Sequence, residues 1–467
     1  MHRRFVSLIA GAAFLSMPVY ADAQEARPGQ AYRGLFGPNT VTAAEALTVH
    51  GAIGAGWDSN LFLAHRDETL LSGTPSVPNA IPLSSGTYSS FSGGLGYSRG
   101  GDRLRFNALE SSSARRYPDY PLLTSHGAAA GLTWNLTKRF SFNSNHSFLY
   151  QPWQTFVSFP ALFDLPLRFD QSMAPNQAYA SFEGSGRSYA TSSSFTTQLS
   201  RQSSLTASYS YQLSTFNNSA AFVGPLHWDI FAVGYSRLTS HAGLLRFNHG
   251  VTRNLGWHVG YGYSEARYSG DVRRYRGQLL DAGIDYTRAL SITRRTTFSF
   301  STGAAAVDQP DALNGYRRYD VTAVANLNRE IGRTWNASAS YIRSVEYLEA
   351  ARVPYFYDGF VLQLQGLISR RAGFHSAAGA TYGDLGFEST PHRRDRFDTE
   401  YANVGLVFGI SRYLAISTDY VFYMYSLNRF GVSLPGVGPR PHRHDVLVSL
   451  SAWAPVFERG RKTNAAR

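Results

Sequence analysis

Leu205-Thr206-Ala207-Ser208-Tyr209-Ser210-Tyr211-Gln212-Leu213-Ser214 alternates an apolar or aromatic residue with a small polar one at almost every step. A period of two is the spacing of a β-strand with one apolar and one polar face. The pattern recurs early in the chain, where Leu47, Val49, Ile53, Ala55 and Trp57 alternate with Thr48, His50, Ala52, Gly54, Gly56 and Asp58. It recurs late as well, where Ala402, Val404, Leu406, Phe408 and Ile410 alternate with Asn403, Gly405, Gly409 and Ser411. In water the apolar face of such a strand turns to a core; in an outer membrane it turns to lipid and leaves a polar lumen side. Strand candidates of about 10–13 residues exceed the ~5–6 of ordinary soluble sheets. At ~3.3 Å per residue and ~45° tilt they are long enough for a hydrocarbon core of ~25–30 Å.

The punctuation points the same way. Short connections at 99–103, 137–139, 201–203, 252–254, 292–295, 330–333, 370–371 and 412–413 take turns with long ones near 61–86, 117–126, 153–187, 217–241, 268–278, 308–317, 346–357, 384–399 and 427–442. Tight periplasmic turns and extended outer loops are the asymmetry of outer-membrane barrels. Eight short and nine long connections predict 18 antiparallel strands with both chain ends periplasmic, from a first strand at 46–57 to a last at 443–453. Two further stretches alternate, Phe231–Tyr235 and Ala178–Gly186. Counting the first gives 19 strands and counting both gives 20; we read both stretches as loop hairpins or strand extensions and expect about 18 strands within a range of 16–20. The expected fold is all-β: a transmembrane, antiparallel, up-and-down β-barrel.

Composition bounds the function. The 467 residues carry 44 Lys+Arg against 32 Asp+Glu, a formal charge of +12, yet charged residues make up only 16 %, below the ~25 % of soluble domains. The absence of cysteine excludes a disulfide scaffold, thiolate zinc sites and a cysteine nucleophile. His2, Arg3 and Arg4, the apolar run Phe5–Met17 and Ala21-Asp22-Ala23 have the layout of a secretory signal over 1–23. Its apolar run is too short for a ~20-residue spanning helix. Residues 24–45 then read as a periplasmic N-terminal segment, 46–453 as the barrel and 454–467 as a basic periplasmic tail. The implied location is the outer membrane of a Gram-negative-type envelope, after cleavage of the signal. The implied partners are outer-membrane lipid, lipopolysaccharide and the barrel assembly machinery, with polysaccharide or small solutes as cargo. Despite the basic balance, an exported barrel has little occasion to meet nucleic acid.

Trp57-Asp58-Ser59-Asn60-Leu61-Phe62 resembles the aromatic-Asp-x-Asn-hydrophobic-Phe segment of the beta-barrel porin type 2 family. Tyr275-Arg276-Gly277, Asp285-Tyr286-Thr287-Arg288 and Arg294-Arg295-Thr296-Thr297 look like the same kind of strand–turn–strand unit. The resemblance covers Leu47 to Trp453. It implies an outer-membrane barrel with a pore or an association with exopolysaccharide export, and carries over no catalytic residue.

Several residues stand out for chemistry. Asp58 and Asn60, where the first strand enters an outer loop, suit a cation, a loop brace or ordinary Asx turn capping. Arg105, Arg115, Asp281, Asp285 and Asp419 fall on the polar face of the alternation; in the lumen they would tune ion passage or pair with one another as interior filling. Arg273, Arg274 and Arg276, Arg317 and Arg318, and Arg393, Arg394 and Arg396 cluster at outer loops, where guanidinium forks match phosphate or other polyanions. Trp134, Trp257, Trp335, Tyr341, Phe140 and Phe374 sit near strand ends, as interfacial girdles require. Serine is too frequent for a Ser–His coincidence to mark a hydrolase, and the two-histidine zinc helix and the phosphate-binding P-loop are absent from the sequence. We therefore expect no enzyme, no cofactor and no metal. The expected function is porin-like or polysaccharide-associated passage, against a structural or adhesion barrel closed by its loops and, further off, a hydrolase at the outer rim.

Overall fold

The computed structural model describes residues 35–36, 43–59, 85–101, 103–118, 122–154, 182–218, 235–252, 254–269, 274–286, 288–289, 296–309, 316–347, 354–385, 396–426 and 442–460. The signal segment 1–23, Asn60, Arg273, Arg393 and Arg394 and the stretch 231–234 lie outside them.

The strands are β1 (Ala43–Asp58), β2 (Gly86–Gly100), β3 (Leu104–Arg116), β4 (Leu123–Asn135), β5 (Phe140–Gln154) and β6 (Phe182–Gln198). Next come β7 (Ser203–Asn218), β8 (Tyr235–Gly250), β9 (Leu255–Tyr268), β10 (Arg274–Tyr286 with Arg288–Ala289), β11 (Thr296–Gln309) and β12 (Tyr316–Ile331). The last are β13 (Trp335–Tyr347), β14 (Pro354–Leu367), β15 (Ala372–Leu385), β16 (Arg396–Gly409), β17 (Leu414–Ser426) and β18 (His442–Gly460). Arg288–Ala289 extend β10 because they pair with the same partner, β11, further along it. Each strand pairs antiparallel with its sequence neighbours, and β18 closes on β1 from Asp58↔Asp445 to Ala43↔Gly460. Eighteen strands thus form one closed up-and-down barrel, as the alternation predicted.

The ends differ from the sequence reading. β1 begins at Ala43 and β18 runs to Gly460, so part of the expected N-terminal segment and of the expected tail is strand. A bulge at Leu47/Thr48 lets the ladder continue, and Arg459 pairs with Glu45 at 3.6 Å beyond it. Phe182–Gly186 lengthen β6 rather than forming another strand, and Tyr235 opens β8.

The concave face is fixed by contacts that skip a strand, because side chains converge only there. His375 on β15 reaches Asp419 on β17 at 3.0 Å across Gly405 of β16, where an added Cβ would lie 2.2–2.4 Å from both side chains. Tyr88 on β2 likewise donates to Asp445 on β18 at 2.6 Å, across β1. Residues of the opposite parity, among them Ile53, Phe91, Leu280, Ile284, Leu362 and Phe408, are exposed apolar side chains. Such a band on the outside of a closed sheet is the surface a lipid bilayer covers. Trp134, Phe140 and Trp257 belong to it near the short turns, where an interfacial girdle sits.

Those short turns share one device. The hydroxyl of Thr137, Ser200, Thr252 and Ser369 accepts hydrogen bonds from the backbone N–H groups two and three residues on, and Ser411 accepts from Tyr413 N. A local acceptor of this kind stabilises a tight reversal. In the turn between β12 and β13, Gly332 supplies a φ of 65°, a backbone region in which glycine has no steric penalty. A basic residue follows each capping hydroxyl: Lys138, Arg201, Arg253, Arg370 and Arg412.

One ladder parts. β12 and β13 pair only from Ile331↔Trp335 to Ala323↔Arg343, although both strands continue towards the outer end. Arg343 fills the parting: its Nε donates to Val321 O at 2.9 Å and its Nη2 to Asp320 at 2.9 Å. Above it, Phe356 and Val345, of outward parity, pack against Val307, of inward parity, and the Arg318 guanidinium lies 3.8 Å from the Phe356 ring centroid. The tips of β13 and β14 therefore tuck inside those of β11 and β12, narrowing the outer mouth.

Candidate functional site

The lumen is where polar side chains converge, and its wall is of two kinds. On β5–β7 the inward positions include Asn143, Asn145, Ser192, Ser194, Ser208, Ser210 and Gln212. The described inward side chains there carry no charge. They bond among themselves, as Ser188 does with Ser214 at 3.1 Å and Thr196 with Thr206 at 3.2 Å.

The rest of the wall holds ion clusters. At the outer mouth, Asp58 is fully buried and takes both Nε and Nη2 of the buried Arg443. Arg443 also lies 3.7 Å from Asp445, which pairs with Arg115 at 3.1 Å. Arg115 in turn sits 4.4 Å from the Tyr88 ring centroid. Tyr117, just past the end of β3, donates to Asp58 at 3.3 Å. Burial pushes its phenol up to about 12, so it keeps the proton it donates. Asp58 is thus one arm of a buried two-acid, two-arginine network spanning β18, β1 and β3.

Nearer the short turns, His258 of β9 lies between two acids of β10. Its Nδ1 is 2.8 Å from Asp285 and its Nε2 3.0 Å from Asp281. Arg246 of β8 reaches both carboxylates, at 3.1 Å and 3.5 Å. Asp419 completes the set through His375. Arg105 faces the lumen near the turn end of β3, opposite Thr133 and Gly100. All five expected lumen residues have inward parity, and Arg115, Asp281, Asp285 and Asp419 are each locked in an ion pair. The alternation showed the face; it could not show the partners Arg246, His258 and His375, which come from strands one or two removed, or Arg443 and Asp445, which barrel closure brings from the other end of the chain.

The outer-loop arginines separate. Arg317 pairs with Asp308 through two nitrogens, whereas Arg318 turns to Asp384 at 3.1 Å and Asp320 at 3.5 Å. Arg274 and Arg276 project from the exposed side of β10, across from Arg267 and Glu265. Arg396 opens β16. At the opposite end, Leu35 N donates to Arg370 O at 2.6 Å, and Phe36 lies 3.3 Å from where a Gly409 side chain would begin, on the inner wall. Tyr423 faces inward but is packed on Tyr401, with centroids 5.0 Å apart. Among the described residues no group of three or more His, Asp or Glu could hold a metal ion.

No protein-family model matches the chain, and no curated protein does. Among solved structures, the Pseudomonas aeruginosa protein OccK5 (OpdH) is 10 % identical, with 91 % of this chain and 100 % of that chain covered and a TM-score of 0.43. Pseudomonas aeruginosa OpdQ is 11 % identical over 88 % of this chain and 98 % of that one, TM-score 0.42. The FrpB iron transporter of Neisseria meningitidis is 10 % identical over 88 % and 81 %, TM-score 0.43. The barrel assignment rests on the chain's own strand pairing, and of the porin type 2 resemblance the barrel is the part that holds.

Proposed function

We propose that the protein is a porin-like passage for small hydrophilic solutes across a Gram-negative-type outer membrane. The observation that carries this reading is the compensated lumen. Its charges are tied to one another across strands, and the remaining wall offers hydroxyl and amide groups that exchange hydrogen bonds with a passing polar solute. An 18-strand barrel is wide enough for an aqueous path, and the tucked tips of β13 and β14 narrow that path without a described element crossing it. No chemical step is involved.

The turn rim adds a charge preference to the passage. Lys138, Arg201, Arg370 and Arg412, beside the capping hydroxyls, form a positive ring at the periplasmic mouth, and a charged ring raises the local concentration of the opposite ion. Small anionic or neutral solutes, including sugars of an exported polysaccharide, are therefore the favoured cargo class. Swelling of liposomes that contain the purified protein, in isotonic neutral sugars of increasing size, tests the reading. Swelling that falls off with sugar size supports it, and no swelling in any sugar contradicts it, favouring a loop-closed structural barrel.

A further inference from the structure

The outer wall departs from its own rule in one sector. On β14–β18 and β1 the outward positions at mid-height are mainly apolar, for example Leu362, Val404, Val448 and Ile53, with the hydroxyls of Ser376 and Thr418 among them. On β3–β6 they include Glu110, Ser112, His126, Ser144, His146 and Ser193. These share the parity of exposed Phe140, Phe148 and Phe195, so they face outwards. Ser144 and His146 follow the girdle residue Phe140 by four and six positions. A tilted strand rises ~2.5 Å per residue, which places them about 10 and 15 Å into an apolar band ~25 Å tall.

Lipid cannot satisfy such groups. They satisfy each other in part: Ser112 Oγ donates to Glu110 at 2.7 Å and lies 2.8 Å from His126 Nδ1. Ser144 Oγ is 3.0 Å from His146 Nε2 and 2.9 Å from Ser193 Oγ, and His146 Nδ1 is 3.2 Å from the Tyr189 hydroxyl, so His146 is satisfied within the chain. A carboxylate accepts about four hydrogen bonds and an imidazole offers two nitrogens; among the described residues Glu110 and His126 each have one such partner, Ser112, so capacity is left on these two at a depth where only another membrane-spanning surface can meet it.

We propose that this sector is the interface between copies of this chain. The occupant is argued from complementarity. The sector carries both an acid and imidazoles with hydroxyls at matching depth. Symmetry about an axis along the membrane normal preserves depth, so Glu110 of one copy falls among the imidazoles and hydroxyls of the next. Self-complementarity of one patch is what a symmetric contact requires. Ala108, Ala128 and Ala130, on the same face, leave room for close approach. The proposal concerns the outer wall and stands whether or not the lumen conducts.

The chain has no cysteine, so one introduced thiol is a clean reporter. In oxidised outer membranes, H146C and A130C are expected to give a two-chain cross-linked band, and L362C and V448C none. Bands of equal strength from both sectors, or none from H146C and A130C, overturn the proposal. Independently, the purified full chain is expected to show a multiple of the monomer mass by light scattering. The double variant Glu110→Leu/His146→Leu is expected to lose that mass while keeping the heat-dependent gel shift of a folded barrel. A wild-type chain of monomer mass, or a double variant of unchanged mass, also overturns it. If the double variant does not fold, the cross-linking pattern decides.

Discussion

Strands β5–β7 and β15–β18 share one backbone period and face the same lumen, yet they use their side chains in opposite ways. On β15–β18 the outward face is mainly apolar at mid-height and the inward face holds ion pairs such as His375–Asp419 and Arg443–Asp58. On β5–β7 the inward face is neutral hydroxyl and amide, and part of the outward face is polar too. The difference shows that the wall of one barrel can be held in two ways. Charged strands are stitched across their neighbours by long side chains, whereas neutral strands rely on backbone ladders and short hydroxyl contacts. The first kind should be brittle to substitution and the second tolerant.

The sharpest contrast comes from the outer mouth. Asp58→Leu leaves Arg443 buried with half its compensation, and breaking a buried pair in this way costs about 3–5 kcal/mol. Urea unfolding in detergent should show it. A loss below 1 kcal/mol would mean that the stitching carries no stability. Arg246→Gln removes the cation that binds Asp285 by two hydrogen bonds. Charge-assisted bonds of this kind contribute about 1.5–3 kcal/mol. The two remaining carboxylates also make the lumen more negative, so the reversal potential in a salt gradient should move towards cations. A shift towards anions would contradict the pairing scheme.

Gly405→Val tests the bridge over β16. A branched side chain there must displace His375 and Asp419, and overpacking of this kind costs about 1–3 kcal/mol. Gly186, with open space around its Cβ position, is the matched site on a neutral strand and should accept alanine with little change. Ser192→Ala, on the neutral wall, should stay within about 0.5 kcal/mol. A cost comparable to that of Asp58→Leu would erase the distinction between the two walls.

What the sequence shows of this molecule follows the same division. The period of two sets the faces of Ala402–Ile410 and Leu205–Leu213, because lipid on one side demands apolar residues there. It therefore yields the barrel, its strand number and the inward parity of Arg105, Arg115, Asp281, Asp285 and Asp419. It is nearly silent on Ser192-Ser193-Ser194, where both faces are polar and only the register with β5 and β7 tells them apart. The ion clusters are hidden for another reason: Asp58 and Arg443 meet only because the last strand closes on the first. The capping hydroxyls of the turns were legible as a repeated Ser/Thr followed by Lys or Arg, a signal that a search for turn residues alone passes over.

Single-channel recording of the purified chain in planar bilayers tests the central claim most directly. A compensated lumen behind a basic periplasmic rim predicts discrete conductance steps in potassium chloride and a reversal potential showing a weak preference for chloride. An absence of steps, or steps with strong cation selectivity, would contradict it.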